Sequence, residues 1–285
     1  MITSMTGFGK SETQFDNKKI VVELRTLNSK NIDLNIRTPH SYREIESLIR
    51  KEVNNHLTRG KIDISIFVDN SGLESSSKLN QEVIKGYMNQ LRSIEPIDDL
   101  ELLKIAVRLP DTLKSEKEDL DEQEKKAVVS LVVETIQKVN QHRASEGAVL
   151  EKDFISRLEE LRHLLEEVIK IDPERTEKVR EKLVAAVDHL KAEVDQNRFE
   201  QELIYYLEKY DITEEKVRLK NHIDYFFEIM NQQIPNGKKL GFIAQEMGRE
   251  INTIGSKANH AGLQKIVVQM KDELEKVKEQ LLNVL

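Results

Sequence analysis

There is no cysteine in this chain, which excludes disulfides, thiolate zinc sites and cysteine nucleophiles and agrees with a reducing compartment. Tryptophan is absent as well, and aromatic residues amount to only 5%. With 33% charged residues, this composition suits a helix-rich protein whose core is built from Leu, Ile and Val. No run approaches the roughly eighteen apolar residues that cross a bilayer, and the opening MITSMTGFGKSE lacks the apolar centre of a secretion signal. A cytoplasmic location is the expectation. Excess positive charge is missing too: the net charge is −7, which argues against a generally cationic, sequence-blind coat for nucleic acid. The acidity belongs to the later part, because residues 1–61 hold eleven Lys/Arg against seven Asp/Glu. That local excess leaves room for a confined anion-binding surface. Neither an internal repeat nor a low-complexity linker breaks the 285 residues, a length that suits two ordinary domains.

What is present first is alternation. In KKIVVELRTL, Ile20, Val22 and Leu24 share one strand face while Glu23 and Arg25 take the other. After a turn at Asn28 and Ser29, Ile32, Leu34 and Ile36 alternate with Asp33, Asn35 and Arg37, which predicts a hairpin. Ser41 and Glu44 resemble a capping box that opens a helix with the stripe Ile45, Leu48, Ile49 and Val53. Arg59-Gly60-Lys61 then turns into a strand, IDISIFV. From about Asn80 the pattern is helical. Residues 121–170 read as one or two long helices interrupted at Gly147, Asp172-Pro173 as a boundary, and Glu174 to Tyr210 as another long helix. The last helix carries Leu263, Val267, Met270, Leu274, Val277 and Leu281, a seam that needs a second helix beside it. The fold class is therefore α+β: an N-terminal antiparallel or mixed sheet with helices over residues 1–155, then long α-helices and a C-terminal helical domain over 156–285.

Chemistry concentrates near the C-terminus. In GFIAQEMGREINTIGSKANHAG, Leu240, Ile243, Met247, Ile251 and Ile254 form the buried stripe of a helix. Its other surface carries Glu246 and Glu250 one turn apart, followed by Thr253 and Lys257, with Gln245, Arg249, Asn252 and Ser256 alongside. Two such carboxylates can share a divalent cation, and the cations beside them can hold a phosphate. From the residues alone, a solvated face of i,i+3 and i,i+4 ion pairs is the commoner explanation. The preceding segment DITEEKVRLKNHIDYFF, capped by Asp211 or Thr213, lines up Glu214 or Glu215, Arg218 and His222, with Val217, Ile223, Phe226 and Phe227 apolar. Carboxylate, guanidinium and imidazole make an acid/base set, although a single histidine is more often structural. Pro235 and Gly237 turn the chain between the two helices, so their polar faces can meet.

The motifs SMTGFGKSE, ELRTLNSKNIDLNIRTP, LTRGKIDI, EEKVRLKNHI and GKKLGFIAQEMGREINTIGSKAN closely resemble the YicC/YloC family of bacterial endoribonucleases. The likeness is strongest at the two ends, with a C-terminal family domain from about residue 200, and loose over roughly 70–140. It implies a cytoplasmic enzyme, dependent on Mn²⁺ or Mg²⁺, that cleaves single-stranded RNA internally in RNA turnover. It also implies a homohexamer with a central cavity for RNA, and other RNA-degradation proteins as partners. By the same resemblance, Glu246, Glu250, Glu215 and His222 are the expected metal set, and His222, Glu215, Glu246, Glu250, Arg218 and Arg249 the catalytic set. Arg25, Arg37, Arg43, Arg59, Lys61, Gln245, Asn252, Ser256 and Lys257 are expected to contact RNA, with Glu23, Asn28 and Glu214 also at motif positions. Phe8 and Tyr42 are stacking candidates for which core packing is the preferred reading. The rival functions are a noncatalytic adaptor that delivers RNA to a degradative machine and a purely structural coiled-coil scaffold.

Overall fold

The computed structural model describes residues 2–70, 77–95, 98–115, 120–189, 196–232 and 234–285. The N-terminal sheet has four strands, β1 (Gly7–Phe15), β2 (Lys18–Leu27), β3 (Ile32–Arg37) and β4 (Gly60–Asn70), in the order β1-β2-β4-β3. β2 is antiparallel to both β1 and β4, whereas β3 runs parallel to β4. The expected β2–β3 hairpin is thus replaced by an intervening strand, with Ile64 opposite Leu24 on one side and Ile36 on the other. Burial explains the order. β4 contributes the fully covered Ile62, Ile64 and Ile66, while Ile32 in β3 is 38% exposed, so the more apolar strand takes the centre and β3 the edge.

A 3₁₀ turn (His40–Ile45) and α1 (Glu46–His56) make the crossover from β3 to β4. Neither element has a side-chain cap at its start, so the Ser41/Glu44 capping box does not form. Ile45, Ile49 and Val53 enter the core, but Leu48 remains 47% exposed. Tyr42 is buried and donates its hydroxyl to Glu124. A small unit follows, in which a two-stranded ribbon of β5 (Ser77–Leu79) and β6 (Leu113–Ser115) brackets α2 (Gln81–Ile94) and α3 (Asp99–Ala106).

The spine is α4 (Glu122–His189), 68 residues long and therefore about 100 Å. It passes through both expected breaks. At Gly147 the missing side chain admits the N-terminal segment, since a Cβ there would stand 2.1 Å from the Ile2 carbonyl oxygen. Pro173 lies inside the helix; its neighbour Asp172 belongs to a cluster of ion pairs described below. Of the long helix expected from Glu174 to Tyr210, residues 174–189 continue α4, residues 190–195 lie outside the described residues, and α5 (Gln196–Tyr210) supplies the end. The first part of α4 covers the sheet with Val128, Val132, Ile136 and Val139. Its middle joins a second core through Phe154, Leu158, Leu161, Leu165 and Val168.

That second core is completed by α6 (Thr213–Met230), α7 (Gly237–Lys257) and α8 (Ala261–Leu281). The α8 seam is buried throughout, and its partners are α4 and α7 of the same chain. The final residues return to the sheet end. Met5 N–H donates to Asn283 O at 2.8 Å, Leu285 N–H to Thr3 O at 3.0 Å, and Gly237 N–H to Leu285 O at 2.8 Å. Among the described residues no helix is long and apolar enough to cross a membrane.

Candidate active site

The stripe on α7 is buried as its spacing requires, with Leu240, Met247, Ile251 and Ile254 fully covered and Ile243 nearly so. The rim of that packing decides where the polar residues go. Glu250 is drawn in beside α6 and is only 8% exposed, while Gln245, Arg249, Asn252 and Ser256 remain in solvent. On α6, Ile223 and Phe226 are buried and Phe227 partly so. Val217 departs from expectation at 55% exposed; Leu219 fills the core instead. Neither Asp211 nor Thr213 is the cap: Ile212 holds that position without a side-chain bond, and Asp211 Oδ1 accepts from Thr213 N–H at 3.0 Å in the turn just before the helix. The turn between the two helices is held by Asn236, which donates from Nδ2 to Ile229 O at 2.5 Å.

The hairpin brings its two polar faces together. Glu215, 7% exposed, accepts from Lys257 Nζ at 2.7 Å through Oε1, while its Oε2 is buried with no hydrogen-bond partner. Arg218 pairs with Glu214 on its own helix and reaches toward Glu250, with Nη1 to Oε1 at 4.0 Å. Burial pushes the Glu250 carboxyl above its ordinary value, the nearby Arg218 and His222 charges pull it down, and Glu215 and Glu214 raise it further. His222 is half-buried and belongs to this electrostatic group. Glu246 is turned to Arg249, Oε1 lying 2.9 Å from Nη1 in an ion pair without hydrogen-bond alignment. Gly248 leaves its neighbours undisturbed, a Cβ there meeting nothing nearer than 3.4 Å.

The N-terminal candidates gather separately. Arg25, Arg37 and Lys61 line a pocket of about 360 Å³ on the outer face of the sheet, together with Glu23, Asp63 and Ser65. Phe8 is 41% exposed on that face with the Arg25 guanidinium 5.4 Å from its ring centre, so it does not pack in the core. Arg43 is exposed on the 3₁₀ turn. Arg59 is committed elsewhere: its Nη2 donates to Val284 O at 2.7 Å, and Asn28 likewise holds Leu282 O at 2.6 Å.

Comparison with known proteins agrees with both halves of this arrangement. A family model described as the N-terminal region of YicC-like endoribonucleases matches residues 2–152, and the corresponding C-terminal model matches residues 168–285. The chain belongs to the YicC-like endoribonuclease family. The probable endoribonuclease YicC of Clostridioides difficile is 35% identical, with the whole of both chains covered. That of Haemophilus influenzae is 27% identical over the same full extent.

The YicC-like C-terminal region also covers residues that sequence patterns did not place beside the site. Asp172 and Arg175 on α4 form a buried pair beside the hairpin, and Lys216 Nζ reaches Asp172 Oδ2 at 2.6 Å. A carboxylate and a guanidinium three residues apart, flanking a proline within a helix, were the available signal. Among the described residues, no group of three or more His, Asp or Glu side chains is arranged to hold a metal. The acidic oxygens covered at this place are those of Glu250, 8% exposed, and the Glu215 Oε2 that has no hydrogen-bond partner.

Proposed function

We propose that this chain is an endoribonuclease that cuts phosphodiester bonds within single-stranded RNA, with a divalent ion, as part of RNA turnover. The observation that carries this reading is the meeting of Glu215, Glu250, Arg218 and Lys257 across the α6–α7 hairpin, with a carboxylate oxygen left unsatisfied. Cleavage needs charge relief on the phosphate, activation of a nucleophile and protonation of the leaving oxygen. Arg218, Arg249 and Lys257 bind phosphate oxygens. Glu250, whose burial favours the protonated form, holds or releases a proton nearer neutrality than a solvated glutamate does. His222 serves beside it as acid or base. Glu250 and Glu215, with Glu246 and His222 as further donors, are the residues that would hold Mn²⁺ or Mg²⁺, which supplies Lewis acidity and a more acidic bound water.

The sheet pocket of Arg25, Arg37 and Lys61 guides the RNA backbone, and Gln245, Asn252 and Ser256 contact it on α7. Arg43 completes the proposed RNA set, Arg59 being held by the Val284 carbonyl, and copies of the chain assemble as a homohexamer. Other RNA-degradation proteins are the partners that fit this role. A defined end-labelled RNA incubated with highly purified chain, with and without EDTA, tests the reading. Shortened RNA with 5′-phosphate ends, abolished by EDTA, is expected. Cyclic phosphate ends would instead assign attack to the 2′-hydroxyl. Tight binding without any shortening would make the chain an adaptor.

A second expectation concerns salt. Neutralising Arg25, Arg37 and Lys61 together should weaken RNA binding and reduce the slope of log K against log[salt] by about 2, at roughly 0.7 for each phosphate of a single strand that is no longer neutralised. An unchanged slope in a filter-binding titration removes the sheet face from the RNA path.

A further inference from the structure

We infer that Asp172 and Arg175 are positioning residues for the Glu215–Lys257 pair, acting from α4 through their hydrogen bonds. The inference rests on the reading above that this pair belongs to the active site. Arg175 is 3% exposed and its guanidinium is fully engaged. Nε and Nη2 donate to Asp172 Oδ1 at 2.9 and 2.7 Å, Nη2 also to Tyr210 O at 2.7 Å, and Nη1 to Lys257 O at 3.4 Å. Tyr210 and Lys257 are the last residues of α5 and α7. Carbonyls at helix C-termini lack intrahelical donors and carry the negative end of the helix dipole, so one buried cation ties off two helices at once. Lys257 is thereby held at both ends, its carbonyl by Arg175 and its ammonium by Glu215.

Asp172 has a second task. Lys216 follows Glu215 directly in the chain but projects from another side of α6, toward α4. Asp172 Oδ2 holds its ammonium at 2.6 Å, which fixes the turn of α6 that carries Glu215. Glu215 is left with Lys257 through one oxygen and with the other oxygen free. Packing alone does not call for this cluster, because Leu165, Val168 and Leu219 already join α4 to α6 in the apolar core. Buried ion pairs are seldom retained for stability, since desolvation offsets most of their attraction. Fixing one geometry is the role that the contacts themselves describe.

The full-length chain carrying Asp172→Asn tests the inference by two readouts. The first is selective acetylation of lysines followed by mass spectrometry. Lys216 and Lys257 should label several-fold faster than in the native chain, while Lys10, paired with Glu23 on the sheet, should not change. The second is cleavage kinetics: kcat should fall about tenfold with KM within twofold, Asp172→Glu should recover most of the loss, and in a Glu215→Gln background Asp172→Asn should add little. Unchanged labelling of Lys257 overturns the coupling whether or not the chain cuts RNA. Faster labelling with native kcat, or a fully additive double variant, overturns the positioning role. If circular dichroism shows Asp172→Asn unfolded, Arg175→Lys replaces it, and native labelling and kcat in that variant count against the inference. A native chain without RNA cleavage refutes the proposed function alone, since the labelling arm still decides the coupling.

Discussion

Glu250→Gln is expected to lower RNA cleavage by about 10²- to 10⁴-fold, the range of a lost general acid or base, and yet to give a protein more stable than the native one at neutral pH. Both effects follow from one position. The carboxylate is 8% exposed on the face of α7 that meets α6, and burial raises its pKa above the ordinary 4.5. The folded chain therefore holds this proton more tightly than the unfolded chain does. The associated stability is fully present below pH 4.5 and is lost as the pH rises through the elevated value, because charge then has to be accommodated in a half-dry site. Glutamine keeps the shape and never ionises. Its advantage in urea denaturation should be clear at about pH 7 and shrink toward nothing below pH 4.5. Glu246→Gln is expected to lose cleavage as well. Full cleavage by Glu250→Gln would remove this residue from the mechanism, and equal stability at both pH values would contradict the account of its burial.

Gly147→Ala should destabilise the fold by about 1–3 kcal/mol, the cost of forcing an atom into a packed site. The direction is the opposite of what helix propensity predicts, because replacing glycine by alanine in a helix interior ordinarily gains about 1 kcal/mol. The new Cβ would lie 2.1 Å from Ile2 O, 2.7 Å from Ile2 C and 2.9 Å from Thr3 Cα, all backbone atoms that cannot step aside singly. The displaced segment is itself bound on both sides: Ile2 N–H donates to Glu151 at 3.1 Å, Ser4 N–H to Arg143 O at 3.1 Å, and Thr3 O accepts from Leu285. Chemical denaturation of the variant measures the change directly. Gly86→Ala in α2, where a Cβ meets nothing within 4 Å, is the matched control and should gain stability. A stabilised Gly147→Ala would mean that the N-terminal segment does not lie on α4.

These two sites show what the residues reveal and what they hide. Repetition over several turns was legible: the α8 seam and the α7 stripe each place five or six apolar side chains on one line, and all are buried. The hairpin that joins the catalytic candidates was legible from Pro235 and Gly237. Strand neighbours were not, because a period of two fixes which face is covered and leaves open which strand stands alongside. β1 went unread for a different reason. Its fully covered inward positions are Gly7, Gly9 and Ser11, Phe8 points outward, and the one large apolar residue on the inward side, Phe15, is only partly buried at the strand's end. α4 approaches so closely that a Cβ at Gly9 would come 2.6 Å from Thr135 O, so the most covered part of that face carries no apolar signature. The passage of α4 through Gly147 and Pro173 likewise depends on what lies against the helix, which local propensity does not record.

The ionic groups follow the same division. Spacing placed Glu246 and Glu250 one turn apart as equals, but packing separated them, drawing one under α6 and leaving the other to Arg249. The grip of Arg175 on the ends of α5 and α7 joins residues 35 and 82 positions apart in the chain. No local pattern encodes such a distance. Arg143 is similar: fully buried, its pKa lowered to about 10 by that burial, it donates to Thr26 Oγ1 and Met5 O. Around it stand Gly7 and Gly60 of two motifs that carried the family resemblance, so part of what marks the family serves the junction beneath the sheet.

Because a single uninterrupted helix threads both apolar cores, their mutual orientation is set by arithmetic. One residue added or removed between Val139 and Phe154 would turn everything beyond it by about 100° and slide it by about 1.5 Å. The length of that interval is thus a dimension of the protein, as fixed as any bond within it.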